Sequence, residues 1–241
     1  MFTSAHFLWL GAIAAGIAAF FILIKALKLP STLVHRATTA ALIVLKLFHL
    51  SLSMKESPFG GLVIDQTQLS FHVCSIMIYA VILTNFIKNE ELLGKIRSFM
   101  VPCLMIGALM ALLIPTEGVD PSVPRVWQYM LIHGVLVFYG LHLAFIDRVD
   151  LSFKAYLNNL KFMLCLVLAA LLMNSVLEAY GTNFLFLRVP PMEGLPILNL
   201  DQGWFVYVLS LSAVAAVLLL LGHAPYMISH AVRKRSDRRR E

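Results

Sequence analysis

The residues best suited to chemistry stand at the start of an apolar stretch, in the run Leu69-Ser-Phe-His72-Val-Cys74-Ser75. On a regular helix His72 would share one face with three other polar residues, Gln68, Ser75 and Tyr79. A histidine or a hydroxyl at lipid depth costs several kcal/mol unless it finds a partner. We therefore expect this face to meet other helices or a cavity.

Cys74 is the candidate nucleophile of this stretch, because a thiol near a histidine base gains thiolate character at neutral pH. On a regular helix His72 and Cys74 point about 200° apart, so the base has to come from another helix. His133 is the best candidate for that base. Two alternatives stay open. Ser75 supplies the attacking or substrate-orienting hydroxyl, or Cys74 is a small apolar filler between helices.

Three other apolar stretches carry polar residues at a similar depth: Lys46, His49 and Ser53 in the second, Arg125, Tyr129 and His133 in the fifth, and Asn174 and Glu178 in the sixth. At 1.5 Å per residue these groups fall within about 12 Å of one predicted membrane face. The opposite halves of the stretches are expected to hold little comparable, apart from Thr38, Thr39 and Cys165. The pattern predicts a polar cavity that opens towards the outer leaflet.

Other interpretations of the same residues stay open. Lys46 and Glu178 could form a structural ion pair, or Lys46 could extend its ammonium group towards the surface. His49, His72 and His133 could supply a three-histidine zinc site, although no two of them show a recognised ligand spacing on one helix. A retinal-binding function is excluded, because residues 203–229 contain no lysine for a Schiff base.

Composition sets the class of the protein. With 60% hydrophobic residues, 13% charged residues and a mean hydropathy of +0.84, the chain is unlike a soluble domain. Seven apolar stretches approach the ~20 residues that a membrane-spanning helix needs. They are residues 7–27, 32–53, 68–88, 97–114, 126–146, 156–180 and 203–229. We expect an all-α polytopic membrane protein with seven transmembrane helices in one domain, residues 1–230, and a basic tail, residues 231–241.

The distribution of Lys and Arg predicts the orientation. The connections after the first, third and fifth stretches carry three basic residues each and the tail adds six, whereas the opposite connections hold only Lys55, Arg125 and Arg188. The N-terminus is therefore predicted outside and the C-terminus in the cytoplasm. The first stretch is not expected to be a cleavable signal peptide, because Lys25 and Lys28 follow its apolar run instead of preceding it.

The basic tail is predicted to rest on anionic lipid headgroups, each basic residue near the surface contributing about 1 kcal/mol. Nucleic-acid binding is not expected, because no folded basic domain accompanies the tail. Cys74, Cys103 and Cys165 all lie within predicted helices, so no disulfide framework is expected. The pattern implies no cofactor. The expected partners are membrane lipid and, as an open alternative, another membrane protein, and the expected location is the cell membrane.

Four short motifs follow one another between Leu69 and Tyr207. They are Leu69-Ser-Phe-His72-Val-Cys74-Ser75, Gly107-Ala-Leu-Met-Ala-Leu-Leu-Ile-Pro115, Val123-Pro-Arg125-Val-Trp-Gln128-Tyr129-Met-Leu-Ile-His133-Gly134 and Gly181-Thr-Asn183-Phe184-Leu-Phe-Leu187. Together they resemble the YwaF-type integral membrane family, which is related to a vertebrate transmembrane acyltransferase acting on ether phospholipids. Ser75 and Phe184 stand where that family usually has Asp and Tyr.

The resemblance implies that Cys74 carries an acyl group as the nucleophile and that His133 is its base. With the polar pattern it predicts a lipid acyltransferase or acyl hydrolase whose substrate enters laterally from the outer leaflet. The expected substrate-binding residues are Lys46, His49, His72, Ser75, Arg125, Gln128, Tyr129, Asn174, Glu178 and Asn183. The alternative is a non-catalytic lipid-binding, transport or assembly subunit, in which Lys46 and Glu178 matter most and Cys74 is silent.

Overall fold

The computed structural model of the chain describes residues 2–56, 60–65, 71–191, 194–195 and 197–238. Gln68, and the first two residues of the predicted nucleophile motif, Leu69 and Ser70, lie outside the described residues. Arg239 and Arg240 of the basic tail also lie outside them, and contact of the tail with lipid headgroups stays a prediction.

Helices dominate the described chain, which confirms the predicted all-α class. They are α1 (Ser4–Ala26), α2 (Ser31–Leu52), α3 (Val73–Thr84), α4 (Glu90–Pro102), α5 (Ala108–Leu113), α6 (Pro124–Phe145), α7 (Phe153–Val176) and α8 (Trp204–Arg238). A π-helical turn, Cys103–Gly107, joins α4 to α5, and two 3-10 turns, Glu178–Tyr180 and Phe184–Phe186, follow α7. A short antiparallel hairpin of β1 (Met54–Glu56) and β2 (Leu62–Ile64) lies between α2 and α3, with Lys55 opposite Val63.

Six helices in the described ranges are long and apolar enough to cross a membrane: α1, α2, the continuous segment Glu90–Leu113, α6, α7 and Trp204–Ser229. The third predicted stretch, residues 68–88, forms the 12-residue apolar helix α3. At 1.5 Å per residue α3 is about 18 Å long, shorter than the ~30 Å of a hydrocarbon core. The described residues thus contain six full-length apolar helices and one short one.

The connections between helices lie at two ends of the bundle. Residues 27–30, 85–89 and 146–152 form what we refer to as the basic end, because most Lys and Arg residues lie in them or in the helix turns beside them. The hairpin, the connection 114–123 and the described residues of the connection 177–203 form the loop end. Side chains fasten both ends: His6 of α1 bonds the Leu112 carbonyl at the loop end (2.8 Å), and Ser98 of α4 donates to the Asp150 carbonyl at the basic end (2.7 Å).

Helix α6 is the centre of the bundle, and it packs against α1, α2, α4, α5 and the π turn. Pro102 has no backbone N–H, so the regular hydrogen bonding of α4 is interrupted where the π turn begins. Gly140 lets α6 approach this turn, since a Cβ there would lie 2.9 Å from the Leu104 Cβ. Gly222 likewise lets α8 approach Pro102 closely. The π turn is therefore held between α6 and α8.

Candidate functional site at the loop end

Tyr129 of α6 is the common neighbour of the two residues predicted to be catalytic. Its ring packs on the His133 imidazole, with the ring centroids 4.3 Å apart. Its hydroxyl donates to the Ala111 carbonyl at 3.0 Å. The Cys74 sulfur lies 4.0 Å from a Cβ placed at Gly107, four residues before Ala111. The fold therefore brings the first turn of α3 to the same part of α6 as His133.

Cys74 lies half-buried in the first turn of α3, against the π turn. A Cβ added to Gly107 would lie 4.0 Å from the Cys74 sulfur, and the buried Cys103 thiol is another neighbour. The first turn of a helix has backbone N–H groups without an intrahelical partner, and these stabilise a negative charge. The backbone at Cys74 thus favours a thiolate, whereas the apolar side chains around it oppose one.

The hydrogen bonding of His133 defines which of its ring nitrogens carries the proton. Its Nδ1 lies 2.7 Å from the Tyr129 carbonyl oxygen. A carbonyl can only accept, so Nδ1 donates and Nε2 presents a lone pair. This is the tautomer that a general base needs. Within the described residues no hydrogen bond joins His133 to the Cys74 thiol.

His72 contacts different neighbours from Cys74. Its ring lies 5.2 Å from the Phe186 ring and 6.0 Å from the Phe184 ring, both in the connection that follows α7. That His72 is not the base for Cys74 stays a prediction. The helical geometry on which it rested does not apply, because His72 precedes α3 in an extended conformation (φ −82°, ψ 150°). The sequence pattern predicted that His72 and Ser75 share one helical face, and this prediction is wrong because His72 is not in the helix.

The loop 182–189 packs over His72, and two of the predicted substrate-binding residues hold it in place. The Asn174 amide donates to the Phe184 carbonyl (3.0 Å) and accepts from the Phe184 N–H (2.8 Å). The Asn183 amide donates to the Val189 carbonyl at 2.9 Å. Both side chains form hydrogen bonds with the backbone of the loop. Their observed role is therefore to hold the loop against His72.

Glu178 lies on the surface of the same connection. Its carboxylate accepts a hydrogen bond from the Arg188 guanidinium at 2.8 Å, and 71% of its side chain is exposed. The ion pair between Lys46 and Glu178, which the sequence left open as one alternative, does not occur among the described residues. The partner of Glu178 is Arg188, which is only ten residues away and reaches it without crossing the bundle.

The predicted polar face of α2 is directed inwards. Lys46 is only 6% exposed and Ser53 only 5%. Arg125 at the start of α6 donates to the Ser53 hydroxyl at 2.9 Å and lies 3.8 Å from a Glu117 carboxylate oxygen. The Ser53 hydroxyl in turn donates to the His49 carbonyl at 2.8 Å. Lys46 forms no ion pair with any residue that the structure describes.

The predicted residues thus form three neighbouring groups instead of lining one described cavity. The first joins Cys74, Tyr129 and His133, with Ser75 half-buried beside Cys74 and Gln128 buried beside Tyr129. The second is the Ser53 and Arg125 contact near Lys46 and His49. The third is His72 with its loop. The three-histidine zinc site is not formed, since His49, His72 and His133 do not bring metal-ligand atoms together in the described ranges.

An apolar groove of about 670 Å³ runs along α1, α5 and α6. It is lined by hydrophobic side chains, among them Ile13, Leu112, Val137 and Leu141. Val137 is one helical turn after His133, so both residues lie on the same side of α6. Ile13 packs against the position of Gly134, where an added Cβ would lie 3.1 Å from it. The groove therefore begins beside the His133 turn.

The basic end holds buried polar groups that the sequence pattern missed. His35, His142, Asn159 and His223 are all buried there, so the expectation that these halves hold little beyond Thr38, Thr39 and Cys165 is wrong. The sequence does contain a signal for these buried polar groups. These residues lie at matching depths from the basic connections, in the same way as the residues that predicted a cavity at the loop end.

Comparison with known proteins gives a family. Nothing in the comparison with curated proteins matches the chain, and neither does any solved structure. A family profile does match, over residues 1–223, which covers α1 to α7 and most of α8. The match includes Cys74, Tyr129, His133, five of the six long apolar helices and most of the sixth, as expected of a polytopic membrane protein. The chain therefore belongs to the TMEM164 family.

Proposed function

We propose that the protein transfers or hydrolyses an acyl chain of a membrane lipid, with Cys74 as the nucleophile and His133 as its base. The observation that carries the proposal is the His133 tautomer: its Nδ1 proton is held by the Tyr129 carbonyl, which leaves Nε2 as a proton acceptor. The backbone N–H groups at the first turn of α3 favour the Cys74 thiolate, and the base has to overcome the opposing effect of the apolar side chains around it.

The proposed reaction has two steps. In the first, His133 Nε2 takes the Cys74 proton, the sulfur attacks the carbonyl carbon of a lipid ester, and the ester oxygen leaves as an alcohol with the proton that His133 returns. In the second, an alcohol or water attacks the thioester and restores the thiol. The Tyr129 ring packs on the His133 imidazole. The proton therefore moves from Cys74 to His133 either through a bridging water or directly, after a small rotation of the Tyr129 ring.

The apolar groove supports a lipid substrate. It is open along the side of the bundle and its lining is apolar, which suits a hydrocarbon chain and not a polar metabolite. Val137 connects the groove to the His133 turn. An acyl chain in the groove would therefore place its ester near Tyr129, at the depth of the loop end. The resemblance to the YwaF-type family and its acyltransferase relative points to the same class of reaction.

The orientation that we propose is the one predicted from the charges, with seven crossings, the N-terminus outside, and the loop end facing the outer leaflet of the cell membrane. Ser53, just after α2, contacts Arg125 at the loop end. Ser98, in the third turn of α4, contacts the Asp150 carbonyl at the basic end. The chain between α2 and α4 therefore changes ends, and α3 is its helical part. This supports a seventh, partly non-helical crossing.

A non-catalytic lipid-binding or transport subunit is the second candidate. The observation in its favour is Lys46, which is buried without an ion pair in the described residues and could hold a lipid phosphate. In that function Cys74 and His133 would pack between helices without reacting. The two candidates differ in whether Cys74 forms a covalent intermediate.

Acyl-enzyme trapping decides between them. The purified protein is placed in nanodiscs with phospholipid, and Cys74 is examined by peptide mass spectrometry for an acyl adduct that hydroxylamine removes. We expect the adduct in the wild type and in Cys165→Ala, whose lipid-exposed cysteine on α7 is the matched control. We expect none in Cys74→Ala and acylation slowed about 10²- to 10⁴-fold in His133→Gln. Lipid turnover that persists unchanged in Cys74→Ala would reject the proposed enzyme mechanism, in which Cys74 is the nucleophile.

A further inference from the structure

A second polar cluster lies at the basic end, at the opposite end of the bundle from Cys74. It is formed by His35 of α2, His142 of α6 and Asp147 of the 146–152 connection. His35 Nε2 lies 3.1 Å from Asp147 Oδ2, and His142 Nε2 lies 3.6 Å from Asp147 Oδ1. One ligand-type atom from each residue lies within 4.8 Å of the other two. Three elements distant in sequence thus converge on one point.

The protein leaves this cluster short of hydrogen bonds. His142 is 0% exposed, and neither of its ring nitrogens has a hydrogen-bond partner. Asp147 Oδ2 is also buried without an aligned hydrogen bond, although His35 Nε2 lies at ion-pair distance from it and the Ser31 side chain lies beside the carboxylate. A buried polar atom without a partner costs about 1–3 kcal/mol. Packing alone therefore does not explain why two such groups face each other.

We propose that His35, His142 and Asp147 bind a divalent transition-metal ion, for which zinc is the appropriate probe. Ligand atoms about 2.0 Å from a tetrahedral zinc ion are separated by about 3.3 Å. The distances from the two histidines to Asp147, 3.1 Å to Oδ2 and 3.6 Å to Oδ1, lie on either side of that value, so each imidazole has a carboxylate oxygen at about the spacing that two ligands of one ion require. Two imidazoles and a carboxylate are also a recognised ligand set for zinc and iron, and they leave a position for water.

Tyr139 of α6 provides the outer support that a metal-binding histidine usually has. Its hydroxyl lies 3.1 Å from His35 Nδ1 and is fully buried. If His35 Nε2 binds the metal, Nδ1 carries the proton and donates it to the Tyr139 oxygen. Such a contact fixes the orientation of the ring, and its loss typically lowers metal affinity about 10- to 100-fold.

Arg97 raises the competing hypothesis of an anion site. Its Nε is buried without a hydrogen-bond partner, and its charge acts on both His142 and Tyr139. A phosphate could use Arg97 and the two histidines as donors. It would, however, have to lie against the Asp147 carboxylate, and two negative charges at contact distance repel strongly. The carboxylate between the imidazoles therefore favours a cation.

The test measures metal on the full-length protein. Wild-type protein in detergent is loaded with Zn²⁺, desalted and examined by inductively coupled plasma mass spectrometry, and we expect about one equivalent. Asp147→Asn and His142→Ala should lose this equivalent, and Tyr139→Phe should bind about 10- to 100-fold more weakly. His133→Gln, at the proposed acyl site, is the matched control and should keep its metal. The result is thus independent of whether Cys74 is a nucleophile.

A spectroscopic variant guards against loss by misfolding. Asp147→Cys replaces the carboxylate by a thiolate, and Co²⁺ bound there should show a thiolate-to-cobalt charge-transfer band that the wild type lacks. The proposal is overturned if zinc stays at the same level in Asp147→Asn and His142→Ala, or if Asp147→Cys folds and gives no such band. It is also overturned if inorganic phosphate, and not zinc, raises the unfolding temperature in a manner that requires Arg97.

Discussion

Lys46 is the residue whose energetic position is most unusual. It lies in α2 with 6% of its surface exposed, and no carboxylate in the described residues pairs with it. Taking an unpaired ammonium group out of water costs several kcal/mol. A protein keeps such a group when the charge has a use. In both proposed functions we expect Lys46 to bind the headgroup of a membrane lipid.

Replacing Lys46 by Met should therefore separate stability from function. We expect Lys46→Met to raise the free energy of unfolding by about 1–3 kcal/mol, because a well-packed apolar side chain replaces a buried charge. Lipid turnover or lipid retention should fall at the same time. Thermal unfolding in detergent and lipid analysis of the purified protein measure the two effects. Lys161→Met, on the exposed surface of α7, is the control. A loss of stability in Lys46→Met alone would mean that the ammonium group has a structural partner.

Predictions about single residues were right about burial, which depends on how deep a residue lies in an apolar stretch. They did not give hydrogen-bond and ion-pair partners, which depend on local geometry. Lys46, His133 and Asn174 are buried, as apolar surroundings in the sequence imply for polar groups at lipid depth. The partner of Glu178 could not be predicted, because it depends on how the connection after α7 folds. Nor could the sequence predict the His133 tautomer, which results from one carbonyl at 2.7 Å.

At the scale of elements, α3 shows why the third span was predicted too long. The sequence is apolar from Ile76 to Ile87 apart from a few residues, so hydropathy alone continues the helix to residue 88. The helix ends at Thr84 instead, because the Asn85 amide caps it: it donates to the Val81 carbonyl (3.0 Å) and to the Thr39 hydroxyl of α2 (2.8 Å). A hydropathy window does not register a cap of one residue.

The contact of α8 with the π turn leads to a prediction about Gly222. A Cβ at this position would lie 2.5 Å from the Pro102 Cβ and 3.0 Å from its Cα. Neither atom belongs to a flexible chain end, so α8 would have to move away from the turn that carries Gly107 and faces Cys74. We expect Gly222→Ala to lower the free energy of unfolding by about 1–3 kcal/mol.

Gly11→Ala is the matched control for Gly222→Ala, because nothing lies within 4 Å of a Cβ at Gly11. Alanine there should leave stability unchanged or raise it by about 0.5–1 kcal/mol through its better helix propensity. Denaturant or thermal unfolding in the same detergent compares the two variants. Equal stability of Gly222→Ala and the wild type would show that α8 does not approach Pro102 this closely in the membrane protein.

At the scale of the whole molecule, the polar residues divide between two ends with different characters. At the loop end they sit beside an apolar groove, which fits a lipid substrate. At the basic end His35, His142 and Asp147 form a compact, largely buried cluster, which fits an ion. The motifs that are recognisable in the sequence lie towards the loop end, and they do not indicate the cluster at the basic end. His35 and Asp147 are more than 100 residues apart, and only the antiparallel packing of α2 and α6 brings them together.

The orientation of the whole bundle is the final prediction. If α3 and its flanking residues cross the membrane, Thr3 and Gly118 face outside and Lys28 and Lys234 face the cytoplasm. In a variant without the three native cysteines, a membrane-impermeant maleimide should label Thr3→Cys and Gly118→Cys in intact cells, and Lys28→Cys and Lys234→Cys only after permeabilisation. If the chain crosses only six times, Gly118 moves to the side opposite Thr3, and Lys234 to the side of Thr3. The charge distribution and the contacts of α4 at the basic end both require the seventh crossing. Labelling of both Lys234→Cys and Thr3→Cys in intact cells would put the two residues on the same side of the membrane and would therefore reject it.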